Sequence, residues 1–222
     1  RSINYSNTGI DADQAVLNVD TGFTFFNPKV GLNYQLNNHF SGYASFSVAN
    51  REPVRNDFID NAKNKQPSHE TLFDYELGVE TRFKKFLGEA NFYFMDYQNQ
   101  LVLTGALNDV GGSIRQNVDN SYRAGVELIV GYKITSKLEV TANTTLSQNK
   151  ITDFVEFVGD WSNGGQIKNL YESTDISFSP SVIAAGLISY KPIKGLELGL
   201  QTKFVGKQYL DNSGSNDRDL PS

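Results

Sequence analysis

The sequence specifies an all-β chain, an antiparallel meander of about eight strands. Three features point there. Apolar and polar residues alternate with period two over long stretches, the mark of a sheet with one oily and one wet face. No apolar run approaches the roughly 20 residues that a membrane helix needs. The composition is that of strands and turns, with 15 Phe, 11 Tyr and 19 Gly among 222 residues. The clearest stretch is "LFDYELGVETRF", residues 72–83, which holds Phe73, Tyr75, Leu77 and Val79 opposite Asp74, Glu76, Glu80 and Arg82.

Residues 1–20 are polar, carry Asp11, Asp13 and Asp20 without sustained periodicity, and read as a loop. A strand over 26–36 sets Phe26, Val30, Leu32, Tyr34 and Leu36 against Asn27, Lys29, Gly31, Asn33 and Gln35. It is entered through Pro28, at a strand start where a missing N–H does little harm. Asn37, Asn38 and His39 turn the chain into a second strand over 40–49, and a connection rich in Asn, Asp, Lys and Pro follows over 50–71. Strands over 72–83 and 86–97 pair through Lys84 and Lys85, and "QLVLT" offers an extension of the second up to a loop, "GALNDVGGS". Strands over 114–133 and 138–147 pair across "ITSK". The longest loop, 149–177, contains Trp161 and Tyr171. The last hairpin joins 181–190 to 196–209 through "KPIKG", and "DNSGSNDRDLPS" reads as a final loop.

Short turns therefore alternate with long connections. Outer-membrane barrels follow that rule, with short turns on one side, long loops on the other, and strands of about ten tilted residues crossing an apolar band. Tyr34, Leu36, Phe83, Phe86, Tyr132 and Tyr190 lie beside the short turns, where an aromatic girdle belongs. A soluble or surface-tethered β-sandwich could instead bury the same apolar faces on itself, using its long loops to hold carbohydrate or protein. Alternation alone leaves both open, because either environment enforces one register.

Other chemistry is excluded or unsupported. There are no cysteines, hence no disulfide framework or thiolate site. Twenty basic residues against 25 acidic ones, with no basic run, disfavour nucleic acid. His39 and His69 stand apart from other zinc ligands, so no metal site or cofactor is expected. Asp74 and Glu76 share a face as an acid/base pair would, but two residues apart on a strand they read as a solvated surface, and no G-x-S-x-G nucleophile motif is present. The chain is not expected to be an enzyme. No charged segment followed by an apolar one opens it, so any export signal is expected to lie outside it.

The ordered set "FFNPKVGLNYQL", "YASFSVANREPVRNDF", "LFDYELGVETRF", "ANFYFMDYQNQLVLTG", "RQNVDNSYRAGVEL" and "SYKPIKGLELGLQTKFVGKQYLDN" resembles the carboxyl-terminal part of the barrel of a TonB-dependent outer-membrane receptor, of the iron-complex type common in Bacteroidetes. That resemblance implies a barrel of about twenty-two strands, filled by a plug, which sits in the Gram-negative outer membrane among its lipids. It implies binding of a scarce nutrient, foremost a ferric siderophore or other iron complex, and import driven through TonB. Nothing in these residues resembles the plug, the TonB box or the final strands. Residues 1–222 are therefore expected to form part of a barrel, an open sheet with two unpaired edges when seen alone.

Four residues stand out as candidate ligand contacts on the outer side. Arg51 and Arg55, in the family's "REP" stretch with Glu52 and Asp57, could grip carboxylate-bearing chelates bidentately or tie a loop or plug in place. Trp161 and Tyr171 could stack on a ligand or cover a small cluster of their own.

Overall fold

A computed structural model describes residues 1–10, 16–61, 66–108, 111–160 and 162–222, apart from the side chain of Leu17. Its strands are β1 (Ser2–Ile10), β2 (Val16–Thr24), β3 (Lys29–Gln35), β4 (Phe40–Arg51), β5 (Glu70–Arg82), β6 (Phe86–Leu107), β7 (Ser113–Lys133), β8 (Leu138–Gly159), β9 (Gln166–Asp175), β10 (Val182–Tyr190), β11 (Leu198–Val205), β12 (Gln208–Tyr209) and β13 (Asp219–Leu220), with one short helix, α1 (Arg55–Asp60). The main sheet runs β3-β4-β5-β6-β7-β8-β10-β11, the antiparallel meander of eight that the alternation predicts. β8 serves two partners. Its residues 138–146 pair with β10, and its residues 150–159 pair with β9. β3 and β11 end the order, and no pairing joins them to each other among the described residues.

Register places the apolar residues in unbroken rows. Leu32, Ala44, Leu77, Phe92, Val126, Leu146 and Val182 are cross-strand partners in succession, one rung that is apolar across seven strands. The next rung but one toward the long connections carries Val30, Phe46, Tyr75, Phe94 and Ala124. These side chains are not covered. Leu32 is 71% exposed, Leu77 58% and Phe92 53%. Among the described residues no second layer seals the band, so the sandwich is excluded, and the face that would aggregate in water is the face that suits lipid.

Aromatic rows bound this band on both sides. Phe46, Tyr75, Phe94 and Tyr122 form a ladder with ring centroids 5.0, 6.4 and 6.0 Å apart. Toward the short turns His39 stacks on Phe83 at 4.5 Å, and Phe40 meets Phe83 edge-on. From Tyr75 to Phe83 is about 26 Å along the strand, or about 20 Å across the membrane at a tilt of roughly 40°. That is close to the height of about 25 Å usual for such a band.

The opposite face is polar and carries a repeated packing device. The Tyr43 ring lies over its partner Gly78, where an added Cβ would stand 2.0 Å from the ring. Tyr93 covers its partner Gly125 likewise, but there a Cβ would also meet the Leu146 carbonyl at 2.6 Å. A bare glycine thus lets an aromatic ring fold flat against the neighbouring strand. Gly78→Ala should cost about 1–3 kcal/mol in urea unfolding, as overpacking does, and Tyr43→Ala in the same chain should relieve most of it. Gly125→Ala should not be relieved by Tyr93→Ala, because a backbone carbonyl remains in the way.

Several expectations change. The stretch over 1–20 read as a loop is strand over 2–10 and 16–20, since β1 and β2 pair in register from Ser2–Thr24 to Ile10–Val16, while Asp11 and Asp13 lie outside the described residues. β1 is mostly Asn, Ser and Thr, and the hairpin rests on the small cluster of Val19 and Phe58 with Tyr5, Phe23 and Ile59, not on lipid. Residues 149–177 are not one long loop either. β8 continues to Gly159 and β9 returns beside it, and the interruption that hides this strand is Asp153, in the left-handed region at φ 53°. Both ends of "GALNDVGGS" join the strands, because β6 runs to Leu107 and β7 begins at Ser113, with Asn108 and Gly112 hydrogen-bonded between them; Asp109 and Val110 lie outside the described residues. The stretch read as a final loop holds a 3₁₀ turn over Asn216–Arg218 and pairs β13 with β12.

Candidate functional site

Above the band the sheet narrows to β6, β7, β8 and β9, which carry a core of their own. Val102, Val118, Ile151, Phe154 and Ile176 are buried together, with Tyr171 packed on them. The segment from β12 to β13 straps this core. Asn212 is the staple: its Nδ2 donates to the Leu103 carbonyl at 2.9 Å, its Oδ1 accepts the Ser177 N–H at 2.8 Å, and its own carbonyl accepts Thr174 Oγ1 at 2.7 Å. Beside it a cavity of about 210 Å³ is lined by Thr104, Gly105, Phe154, Glu156, Asp211 and Arg218 among others. Gly105, at φ 79°, is required there, because a Cβ would strike the Phe157 carbonyl at 2.3 Å.

Glu156 is the hub of this crown. Its carboxylate accepts Tyr171 Oη at 2.9 Å, Asn169 Nδ2 at 3.2 Å and Arg218 Nη1 at 2.9 Å, and the same Arg218 nitrogen donates to Asp211 at 2.7 Å. The bond to Glu156 favours the neutral phenol and raises the Tyr171 pKa. Burial alone would push Asp211 up, but hydrogen bonds from Ser213 and Arg218 outweigh it and hold its carboxyl below the usual range.

A second polar cluster lies on the other side of the mouth. Arg51 Nη2 donates to Glu70 Oε1 at 2.7 Å, and that oxygen also accepts the Leu101 N–H at 2.6 Å, tying the end of β4 to β6 through β5. Asp57 accepts the Val54 N–H at 2.8 Å, which starts α1, and pairs with Arg115 Nε at 3.0 Å. Arg55 opens α1 with an exposed side chain and has no recorded ion pair among the described residues.

Arg51 ends β4 and Arg55 opens the helix that follows it, while Tyr171 stands five strands away from β4 along the sheet, roughly 24 Å at the usual strand spacing. Trp161 lies outside the described residues. Glu156, Asn212 and Arg218 were not legible as partners, since Arg218 is 62 residues from Glu156 and each sits in a stretch that reads as loop.

The family described as "TonB dependent receptor-like, beta-barrel" matches residues 2–222, and the chain belongs to it. It is thus part of an outer-membrane β-barrel of a Gram-negative bacterium. Solved structures of similar fold include the siderophore receptor PiuA from Acinetobacter baumannii, at 20% identity and a TM-score of 0.67, and the ferric-catecholate import receptor Fiu from E. coli K12, at 18% and 0.61. Each match covers 93% of this chain and 29% of the receptor. The copper transporter OprC matches at 16% identity with a TM-score of 0.63, over 94% of this chain and 31% of that one. The chain thus spans less than a third of these proteins. A comparison with curated proteins finds no match.

Proposed function

We infer that this chain forms one wall of a receptor that binds a chelated metal, foremost a ferric siderophore, at its outer mouth and imports it with energy passed from TonB. The observation that carries this reading is the two-faced sheet, an exposed apolar band backed by a polar face across the same eight strands. Similarity in fold to a siderophore receptor and a ferric-catecholate importer supports the substrate class. The polar face supports a plug on the inner side, because Asp74 Oδ1 and Asn91 Oδ1 are buried there without a hydrogen-bond partner among the described residues.

At the mouth Arg55 is exposed and without an ion pair among the described residues, so it can meet an anionic chelate, and Arg51 can turn a second nitrogen outward while holding Glu70. Tyr171 serves from the far wall, half-buried on the crown with its hydroxyl held by Glu156. The test is uptake of iron-loaded siderophores by the complete receptor in cells starved of iron. Growth should depend on the receptor for at least one ferric catecholate or hydroxamate, and Arg55→Ala should weaken its binding about tenfold or more, the usual loss for one charge-assisted hydrogen bond. Growth on every chelate without the receptor would overturn the assignment.

A further inference from the structure

The short-turn end of the sheet carries a charge opposite to that of the chain. Within residues 36–40, 82–87, 131–139 and 189–198 stand seven Lys and Arg against two acids, Glu139 and Glu197, whereas the whole chain has 20 against 25. The four turns are also joined in a row by three backbone hydrogen bonds, two of which link a lysine to a lysine, while the third links Arg82 to His39. Arg82 N–H donates to the His39 carbonyl, Lys133 N–H to that of Lys85, and Lys191 N–H to that of Lys137, each at 2.8 Å. The sheet thus sets the cation-bearing turns at 82–87, 131–139 and 189–198 side by side.

This rim borders the apolar band directly. A cleft of about 520 Å³ between two neighbouring turns is lined by Lys137, Lys191 and Lys194, with Ile193 and Leu196 exposed on its edge. Lys137 Nζ is held by the Pro192 carbonyl at 2.7 Å, which aims it along the cleft, and Lys191 is only loosely met by Glu197 at 3.6 Å. Lys194 has no recorded ion pair among the described residues. A second cleft, of about 310 Å³, repeats the arrangement with Lys84, Lys85 and Lys133 beside Phe83 and Phe86.

We propose that these clefts bind the phosphate headgroups of anionic phospholipid in the leaflet that borders the short turns. Ammonium groups placed just past an apolar surface match a phosphodiester on top of acyl chains. A soluble anion would satisfy the lysines but leave Ile193, Leu196 and the neighbouring Leu198 in water, so the occupant is a lipid. The assignment rests on the barrel reading, in which the band lies in the bilayer.

The test is native mass spectrometry of the complete receptor in mild detergent, offered phosphatidylglycerol or phosphatidylcholine with the same acyl chains. Phosphatidylglycerol should be retained at least fivefold more. Lys137→Ala/Lys191→Ala/Lys194→Ala should lower that preference and, combined with Lys84→Ala/Lys85→Ala/Lys133→Ala, should abolish it; Arg at the same six positions should keep it, and Lys194→Ala alone, which breaks no bond among the described residues, should reduce it. Inorganic phosphate at 10-fold excess should displace little of the bound lipid. Equal retention of the two lipids, a preference that survives replacement of all six lysines by Ala, or full displacement by phosphate would overturn the proposal. Retention of neither lipid would overturn it too, and either failure leaves the barrel reading to be judged by whether the receptor inserts into lipid vesicles.

Discussion

Leu77→Arg should destabilise the membrane-embedded receptor by about 2–4 kcal/mol, the cost of an arginine on the lipid face of a barrel near the midplane. Leu77 lies in the middle of the seven-strand apolar rung, between Ala44 and Phe92. Judged only from this chain it is a surface residue, 58% exposed, and such a substitution on a water-facing surface usually stays within about 0.5 kcal/mol. The size of the effect therefore reports the solvent. Asn143→Arg, on the polar face of β8 and exposed, is the matched control and should stay near neutral. Urea unfolding of receptor reconstituted in lipid vesicles checks both. A Leu77→Arg protein as stable as the parent would mean that the band meets water, and the assignment to a membrane would fall.

Much of the fold was legible because lipid and lumen write a strong code. Each residue of 72–83 must choose between hydrocarbon and water, so Phe73 to Arg82 spell out face and register in one pass, and the same holds for the lower halves of β6, β7 and β8. Above the membrane that code stops. Ile151 and Phe154 are both buried in the crown although an odd interval of three separates them, and Asp153 at φ 53° stands between them. Period-two reading loses such a strand. β1 escapes for a different reason, because its ribbon of Asn, Ser and Thr is held by backbone pairing and by Tyr5 stacked on Phe58 at 4.9 Å, with little apolar area to mark a face. Arg51 and Arg55 could be found as a local cluster in sequence. The link from Glu156 to Arg218 could not, because no periodicity connects two residues that meet only when the strap closes over the sheet.

Arg218→Ala should free the strap between β12 and β13 while leaving the membrane band intact. Glu156 is nearly buried, with 8% of its side chain exposed, and would keep only the neutral donors Tyr171 and Asn169; Asp211 would lose its cation as well. Because Arg218 itself is 48% exposed, solvent offsets part of the loss, and about 1.5–3 kcal/mol of local stability is expected, the range for a hydrogen bond to a charged group. Hydrogen exchange should show it as faster exchange at the Ser177 and Leu210 amides, which bond to Asn212 and to the Arg218 carbonyl, with unchanged protection at Leu77. Acid should act in the same direction. The Asp211 pKa is lowered in the fold, so its contribution is complete above the ordinary carboxylate value of about 4 and disappears as pH falls through the lowered one. Tyr171 works at the other extreme. Its pKa is raised, so its contribution holds below about 10 and is lost as pH rises through the higher value. The parent crown should thus open at both ends of the pH range, whereas Arg218→Ala should show a weaker acid limb because the cation that favours ionised Asp211 is gone. An acid limb unchanged in Arg218→Ala would show that Asn212, and not the ion pairs, holds the strap closed.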